Sequence, residues 1–273
     1  MLPSHLALIS LTPTIDFGEL ATVCAAIQKQ LTRDFGPIWT VEATIDVFAR
    51  LEDVPVGYWK ILVVDTFDHG GQHRDRNQQP FALVAAGTSW SLVASHEALE
   101  MLADPFGSRL IAGPSPMPEQ SRVEFLVEVC DPCQADAFAY TINGIMVSDF
   151  YTPKYFDPVV ASGVRYSFSG AVTEPRQVLN GGYLSWRDPT SGDWHQANRF
   201  SGALQFKNFG QIQPTGGSLR AMIDGLTPET LRLSNLDREC PSMRRAATAR
   251  ASATTAAAAQ AKAFEAWLRR ANE

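Results

Sequence analysis

The chain has 273 residues, of which 45% are hydrophobic and 19% are charged, and its net charge at pH 7 is −6. This composition excludes a disordered or fibrous protein, and the length is enough for one large domain or two small ones. Residues 238–273 hold seven Lys or Arg and three Glu. The rest of the chain therefore carries about −10, which argues against nucleic acid as a partner.

Targeting signals are weak in this sequence. No stretch approaches the roughly 18 apolar residues that a membrane-spanning helix needs, so no membrane partner is predicted. The apolar start at 6–11 lacks the basic leading region of a signal peptide, and four cysteines are too few for a disulfide scaffold. A cytoplasmic location is the default expectation, while export by a dedicated machine or as part of a phage particle stays open. Nothing in the pattern indicates an oligomeric state.

The first part of the chain predicts a strand, a helix, three more strands and a second helix. The predicted strands are 6–11, 41–49, 59–67 and 80–86. Asp16 and Glu19 have the spacing of a helix capping box, and Gly36-Pro37 should end that first helix near Phe35. The polar segment 68–79 is predicted to be a loop. The second helix follows strand 80–86, begins at Ser89 or Ser91 and closes near Asp104.

The later part of the chain predicts mainly short strands. Residues 107–121 are rich in Gly, Pro and Ser and should form a loop, and 123–130 should be a strand or a short helix. Asn143-Gly144 between two apolar triplets predicts a β-hairpin. We therefore divide the chain into a domain at 1–135, a β-rich lobe at 136–236, and a linker with a helix at 237–273. Alanine gives residues 246–272 high helix propensity.

The second helix carries the sequence H-E-x-x-E at His96, Glu97 and Glu100. In the related pattern H-E-x-x-H of zinc proteases, the two histidines bind zinc and the glutamate between them is the general base. Residues four apart lie about 40° apart on one helix face. His96 and Glu100 can therefore reach one ion, with Glu97 placed to act as general base toward water at that ion.

A third ligand is expected from the acidic residues Glu128 and Asp131, with Glu128 preferred. The alternative for these two is a salt bridge to Arg109 or Arg122. One histidine and two carboxylates would neutralise Zn²⁺ and weaken its Lewis acidity, or favour a harder ion such as Mn²⁺ or Ca²⁺. Asp104 lies one turn beyond Glu100, where a role at the helix end is expected instead of ligation.

The composite pattern H-E-x-x-E-x-x-x-D-P followed by E-x-x-D-x-C resembles that of the Exordium or phosphate-induced proteins and their bacterial relatives. The similarity covers roughly residues 60–135. The matching positions are Ser95, His96, Glu97, Glu100, Asp104, Pro105, Glu128, Asp131 and Cys133, and the departures are Met101, Ala103 and Cys130. Proteins of that group resemble zincin metallopeptidases. The resemblance implies a zincin-like fold, in which the strand before the active helix is an edge strand that pairs with an extended substrate. Here that edge strand would be 80–86.

These observations predict an α+β protein with a zincin-like N-terminal domain, a β-rich C-terminal lobe and an alanine-rich terminal helix. The leading hypothesis is a metal-dependent peptidase that holds one divalent ion, zinc first, and acts on a peptide or protein. The alternative is a non-catalytic structural or phage-associated binding protein that keeps the metal for stability. A weaker third hypothesis is a thiol redox protein using Cys130 and Cys133.

Two further sets of residues are less decisive. Oxyanion assistance could come from one of four side chains in the second lobe that the pattern does not rank: Tyr151, Tyr155, Tyr183 and His195. His69 and His73 lie in the polar segment before strand 80–86, and a solvated loop is the expected setting for both.

Overall fold

The computed structural model describes residues 3–67, 70–213 and 218–227, together with Ala259 and Lys262. As predicted, the chain combines α-helices with β-sheets, and its two five-stranded sheets and a small hairpin surround one main hydrophobic core. The first sheet contains β1 (Ser4–Ser10), β2 (Ala43–Phe48), β3 (Trp59–Val64), β4 (Gly71–Arg76) and β5 (Gln79–Ala85). The second sheet contains β6 (Leu110–Pro114), β7 (Arg122–Leu126), β10 (Tyr183–Arg187), β11 (Asp193–Asn198) and β12 (Gln205–Gln211). The hairpin is β8 (Tyr140–Ile142) with β9 (Ile145–Val147), joined at Asn143-Gly144 as predicted.

The first sheet has the strand order β2-β1-β3-β5-β4. Its first four strands run parallel, and β4 pairs with β5 in the antiparallel sense. Leu6, Ala7, Leu8 and Ile9 of β1 are completely buried. Such an unbroken apolar run is typical of a parallel strand that is covered on both faces.

The first helix is longer than predicted. Asp16 accepts a hydrogen bond from the backbone N–H of Glu19 at 2.8 Å and begins α1 (Phe17–Lys29). A π-helical stretch, Gln30–Phe35, and then α2 (Gly36–Trp39) continue the helix beyond the expected end at Gly36-Pro37. Pro37 is tolerated because it lies in the first turn of α2, where its missing N–H is not needed. Thr40 ends the helix in the left-handed region, with φ 56°.

The loop predicted at 68–79 is wrong, and the strand predicted at 80–86 is present as β5 but does not lie at the edge of the sheet. Residues 71–76 form β4, a two-residue turn at Asn77-Gln78 follows, and β5 lies inside the sheet between β3 and β4. Both turn residues have positive φ, as a tight hairpin turn requires. The edge strand is therefore β4, and its polar sequence concealed it from a pattern search that requires apolar alternation.

The second sheet has the order β12-β11-β10-β7-β6 and includes β6 within the segment predicted as a loop. The strand alternative for 123–130 is confirmed by β7. Because β7 pairs with β10, this sheet takes strands from both sides of the predicted boundary at 135/136. The linker at 237–245 lies outside the described residues. So does the helix at 246–272, except for Ala259 and Lys262, which are helical.

Two helices lie close to the candidate site. The central helix α3 (Trp90–Ala103) is buried along almost its whole length, and it ends at Asp104. The hairpin is fastened to α3, since the hydroxyl of Ser95 accepts the backbone N–H of Ser148 at 2.7 Å. Helix α4 (Leu219–Leu226) begins at Ser218, and its Ile223 packs with Leu126 and Trp194 against the second sheet. Among the described residues, no helix combines the length and apolar character needed to cross a membrane.

Candidate metal centre

The three motif residues of α3 lie in the interior of the protein. His96 is 9% exposed, Glu97 is 2% exposed and Glu100 is fully buried. The helix reaches this depth because its remaining residues are apolar or small on every side, so only the motif is polar at its centre. Buried acidic side chains are rarely found without a cation or hydrogen-bond donors to offset their charge.

His96 faces two carboxylates through the same ring nitrogen. Its Nε2 atom lies 3.2 Å from Oε2 of Glu100 and 3.4 Å from Oδ1 of Asp131. Ligand atoms bound at about 2.0–2.1 Å in a tetrahedral zinc site are about 3.3 Å apart. The two distances therefore suit a shared ion, with Glu100 supplied by the next turn of the helix.

The acidic residues after β7 come to the same place. Asp131 begins a short 3-10 turn, Asp131–Cys133, and the backbone N–H of Cys130 donates to Oε1 of Glu100 at 3.2 Å. One oxygen each of Glu100, Glu128 and Asp131 lies within 4.8 Å of the other two. Both sequence candidates for the third ligand are thus present, but Asp131 is the one that faces His96.

Arg220 of α4 is a residue of this centre that the sequence analysis missed. Its guanidinium is 2% exposed, and Nη1 contacts Oε2 of Glu100 and lies 2.6 Å from Oε2 of Glu128. Nη2 lies 3.7 Å from Oε2 of Glu97, and Nε lies 3.4 Å from Oδ2 of Asp224. One cation therefore faces four carboxylates. The sequence offered only a weak signal, an arginine and an aspartate four residues apart in a short apolar helix.

His73 belongs to the same centre and is not in a solvated loop. It is 2% exposed, because β4 places it against α3 and α4. Its Nδ1 atom contacts Nη1 of Arg220 and lies 3.6 Å from Glu97 Oε2 and 3.9 Å from Glu100 Oε2. Its Nε2 atom lies 3.1 Å from the backbone carbonyl oxygen of Asp104. His69 lies outside the described residues.

Several buried carboxylate oxygens in the centre lack a hydrogen-bond donor among the described residues. They are Oε2 of Glu97, both oxygens of Glu128, and Oδ2 of Asp131. Leaving such an atom without a donor is costly, and more so for a charged group. These oxygens and the His96 geometry fit a divalent cation, because oxygen and imidazole nitrogen are ligands that zinc and harder divalent ions accept.

Electrostatics divide the acidic groups into two kinds. Burial would raise the pKa of Glu100, but Arg220 and then His96 hold it well below its usual value. Burial and the charge of Glu100 raise the pKa of Asp131, and burial raises that of Glu128 well above its usual value against the opposing effect of Arg220. Burial would lower the pKa of His96, but the charge of Glu100 and the hydrogen bond to Asp131 raise it well above its ordinary value. The charge of Glu100 thus favours positive charge on His96 and disfavours ionisation of Asp131.

The expected salt-bridge partners of Glu128 and Asp131 point elsewhere. Arg109 donates from Nη1 to the carbonyl oxygen of Ala103, and Arg122 donates from Nη2 to that of Ala112. Asp104 lies at the end of α3, where its side chain accepts the backbone N–H of Arg109 at 2.7 Å. The position of Asp104 agrees with a role at the helix end.

The four oxyanion candidates are now distinguishable. Tyr155 donates its hydroxyl to the carbonyl oxygen of Gln177, Tyr183 donates to Asp224, and His195 of β11 lies against Gln120 in the loop between β6 and β7. The Tyr151 hydroxyl is buried and has no hydrogen-bond partner among the described residues. Burial, then Tyr155, then the charges of Glu128 and Glu100 raise its pKa well above the usual value, so Tyr151 stays protonated close to the centre.

The two cysteines of C-x-x-C are buried free thiols. Burial raises the pKa of both Cys130 and Cys133 well above the ordinary value. Since the thiolate is the reactive form, this environment argues against the thiol redox hypothesis.

Comparison of the chain with protein-family models found no match, and comparisons with curated proteins and with solved structures found no significant match. Any functional assignment for this chain therefore depends on its own residues and geometry.

Proposed function

We propose that this protein is a metal-dependent peptidase in which His96, Glu100 and Asp131 hold one divalent ion, zinc or a harder ion, and Glu97 is the general base. The observation that carries the proposal is the position of His96 Nε2, at 3.2 Å from Glu100 Oε2 and 3.4 Å from Asp131 Oδ1. Both separations are those expected between ligand atoms that share one ion. The resemblance of the α3 motif to that of zincin metallopeptidases supports the same class of enzyme.

A bound divalent ion would supply Lewis-acid chemistry that polarises a peptide carbonyl and makes water more acidic. Glu97 offers Oε2, which is buried and has no hydrogen-bond donor among the described residues, to take a proton from water. The same carboxyl then passes the proton to the leaving amine. Tyr151, with its unpartnered hydroxyl, would donate a hydrogen bond to the substrate carbonyl oxygen as negative charge develops there.

The substrate is proposed to be an extended peptide or protein segment that adds to the outer edge of β4. Hydrogen bonds alternate along an antiparallel pair, and the bond from Ala85 N–H to Gly70 O fixes the phase. The main-chain groups of Gly71, His73 and Asp75 therefore face away from β5. No other described strand pairs with this edge, which is the arrangement that β-strand addition requires.

A second function has one observation in its favour. The candidate ligands are all less than 10% exposed, and α4 places Arg220 against them. A metal ion held in so closed a site could serve stability alone. The alternative proposal is therefore a non-catalytic, metal-stabilised structural or phage-associated binding protein. For either function, the cytoplasm is the proposed location.

The substitution Glu97→Gln separates the two functions. The ligands stay in place, so metal content measured by elemental analysis should not change. Hydrolysis of a fluorescently labelled, denatured protein should fall by about 10²–10⁴-fold if Glu97 is the general base. Glu52→Gln is the matched control, because that side chain is 67% exposed and remote from the centre. Wild-type protein that binds metal but cleaves nothing would support the structural alternative, and wild-type protein without metal would contradict both.

A further inference from the structure

Three acceptor atoms converge on one nitrogen of Arg220. The Nη1 atom contacts Nδ1 of His73, Oε2 of Glu100 and Oε2 of Glu128. A terminal guanidinium nitrogen carries only two hydrogens. Three acceptors are one more than this nitrogen can donate to. Their convergence on one point resembles the arrangement of ligand atoms around a metal ion.

The hydrogen-bond partners of the two ring nitrogens of His73 agree with a ligand role. Its Nε2 atom lies against the carbonyl oxygen of Asp104, which can only accept a hydrogen bond, so Nε2 must carry the ring hydrogen. Arg220 Nη1 can only donate, so Nδ1 has a lone pair directed at the position of that nitrogen. Metal-binding histidines are oriented in this way, with one nitrogen donating to a carbonyl or carboxylate and the other facing the ion.

Glu128 gives an independent indication of a missing ligand. It is 6% exposed, and neither of its side-chain oxygens has a hydrogen bond within the described part of the chain, although Oε2 forms an ion pair with Nη1 of Arg220. Four carboxylates, those of Glu97, Glu100, Glu128 and Asp224, lie within 3.7 Å of one guanidinium. A single ion at His96 would not neutralise them all.

We propose that the position of Arg220 Nη1 is a second divalent-cation subsite with the ligands His73, Glu100 and Glu128, and that Arg220 and the cation exclude each other. Glu100 would be shared, since its Oε2 lies 3.2 Å from His96 Nε2 and 3.9 Å from His73 Nδ1. The subsite repeats the donor set of the first site, one imidazole and two carboxylates. The proposal concerns metal content, and it stands whether or not the centre hydrolyses peptides.

Contacts between α4 and β4 also couple the subsite to the position of α4. Helix α4 lies against β4, because Gln72 Nε2 donates to Asp224 at 2.8 Å and Arg220 contacts His73. Departure of Arg220 therefore opens the second subsite and releases one of the contacts that hold α4 against β4. Each event should favour the other, as linkage between two states requires.

The test is the number of ions per chain in protein stripped with EDTA and dialysed against manganese chloride. Wild type should hold about one ion and Arg220→Ala about two, because removal of the guanidinium frees three ligands. The double variant His73→Ala/Arg220→Ala should return to about one, and so should Arg220→Lys, which keeps a cation. Equal metal content in wild type and Arg220→Ala, or a loss of the first ion in Arg220→Ala, would overturn the proposal. One ion in both would leave the peptidase proposal intact, whereas none in either would end both.

Poor folding of Arg220→Ala without metal does not prevent the test. Its thermal unfolding midpoint should then rise on addition of manganese chloride by more than that of wild type, because the ion replaces the lost charge. The double variant lacking His73 should show only the smaller, wild-type rise. An equal rise in all three proteins would contradict a second subsite.

Discussion

The two halves of the acidic centre are built from the same kinds of donor but balance their charge in different ways. In the His96 half, His96 faces Glu100 and Asp131, and Arg220 contacts this half through the shared Glu100. In the His73 half, His73, Glu100 and Glu128 surround the guanidinium of Arg220. One half is thus arranged for an exchangeable ion, whereas the other already contains a cation that is part of the chain.

The difference shows how the same ligands can lead to two outcomes. A guanidinium brings one positive charge and a planar set of donors, and it is present at every metal concentration. A divalent ion brings two charges and binds only when it is available and its ligands have lost their protons. The His73 half is therefore expected to be stable in metal-free protein, and the His96 half is expected to be the part that responds to metal.

The largest effect is expected from Arg220→Ala in metal-free buffer. The substitution leaves buried carboxylates without their cation, so the free energy of unfolding should fall by about 3–5 kcal/mol. Urea denaturation followed by circular dichroism measures it. Arg187→Ala is the control, because Arg187 pairs with Glu124 while 43% exposed, and a surface pair contributes only about 0–1 kcal/mol. Similar losses in the two variants would mean that the His73 half does not depend on its guanidinium.

A smaller effect should distinguish the two acidic residues that the sequence could not separate. Asp131→Asn removes a ligand from the His96 half and should weaken zinc binding by about 10–100-fold, the range seen when even supporting groups of a metal site are lost. Glu128→Gln should change the affinity little, because Glu128 belongs to the His73 half and burial already raises its pKa. Isothermal titration with zinc chloride measures both constants.

The reverse order of effects would make Glu128 the third ligand, as the sequence analysis preferred. Equal losses from the two variants would indicate that both carboxylates bind the same ion. In that case the division of the centre into two halves would be wrong.

The sequence predicted the His96 half better than the His73 half for a physical reason. His96, Glu97 and Glu100 lie within five residues of one helix, so helical geometry alone relates them. Asp131 lies a few residues after the strand β7, and the sequence analysis identified it together with Glu128 as a candidate ligand. The residues that complete the His73 half come from a polar edge strand and from a helix 120 residues beyond Glu100. No local periodicity connects such distant segments.

The fold shows the same limit. The strands β1, β3 and β5 were predicted near their observed positions because buried parallel strands are apolar along their length. Strand β4 was missed because its outer residues, Arg74, Asp75 and Arg76, are exposed and charged, as an edge strand tolerates. Its turn residues, Asn77 and Gln78, include no glycine. A search for two-residue turns that accepts Asn at positive φ could have found this hairpin.

The smallest effect is expected at Gly71, where β4 packs against α3. A Cβ atom there would lie 2.3 Å from Cγ1 of Val93 and 2.9 Å from Oε1 of Glu97. Gly71→Ala should therefore force β4 away from the helix and lower the free energy of unfolding by about 1–3 kcal/mol. Gly87→Ala is the matched control, since no atom lies within 4 Å of its added methyl group, and it should change stability by less than about 1 kcal/mol.

Because His73 is only two residues from Gly71, the same shift of β4 should reduce ion binding in the His73 half of Arg220→Ala and spare the His96 half. Manganese content of Gly71→Ala/Arg220→Ala near one ion per chain would bear this out, and content near two would show that β4 does not position His73.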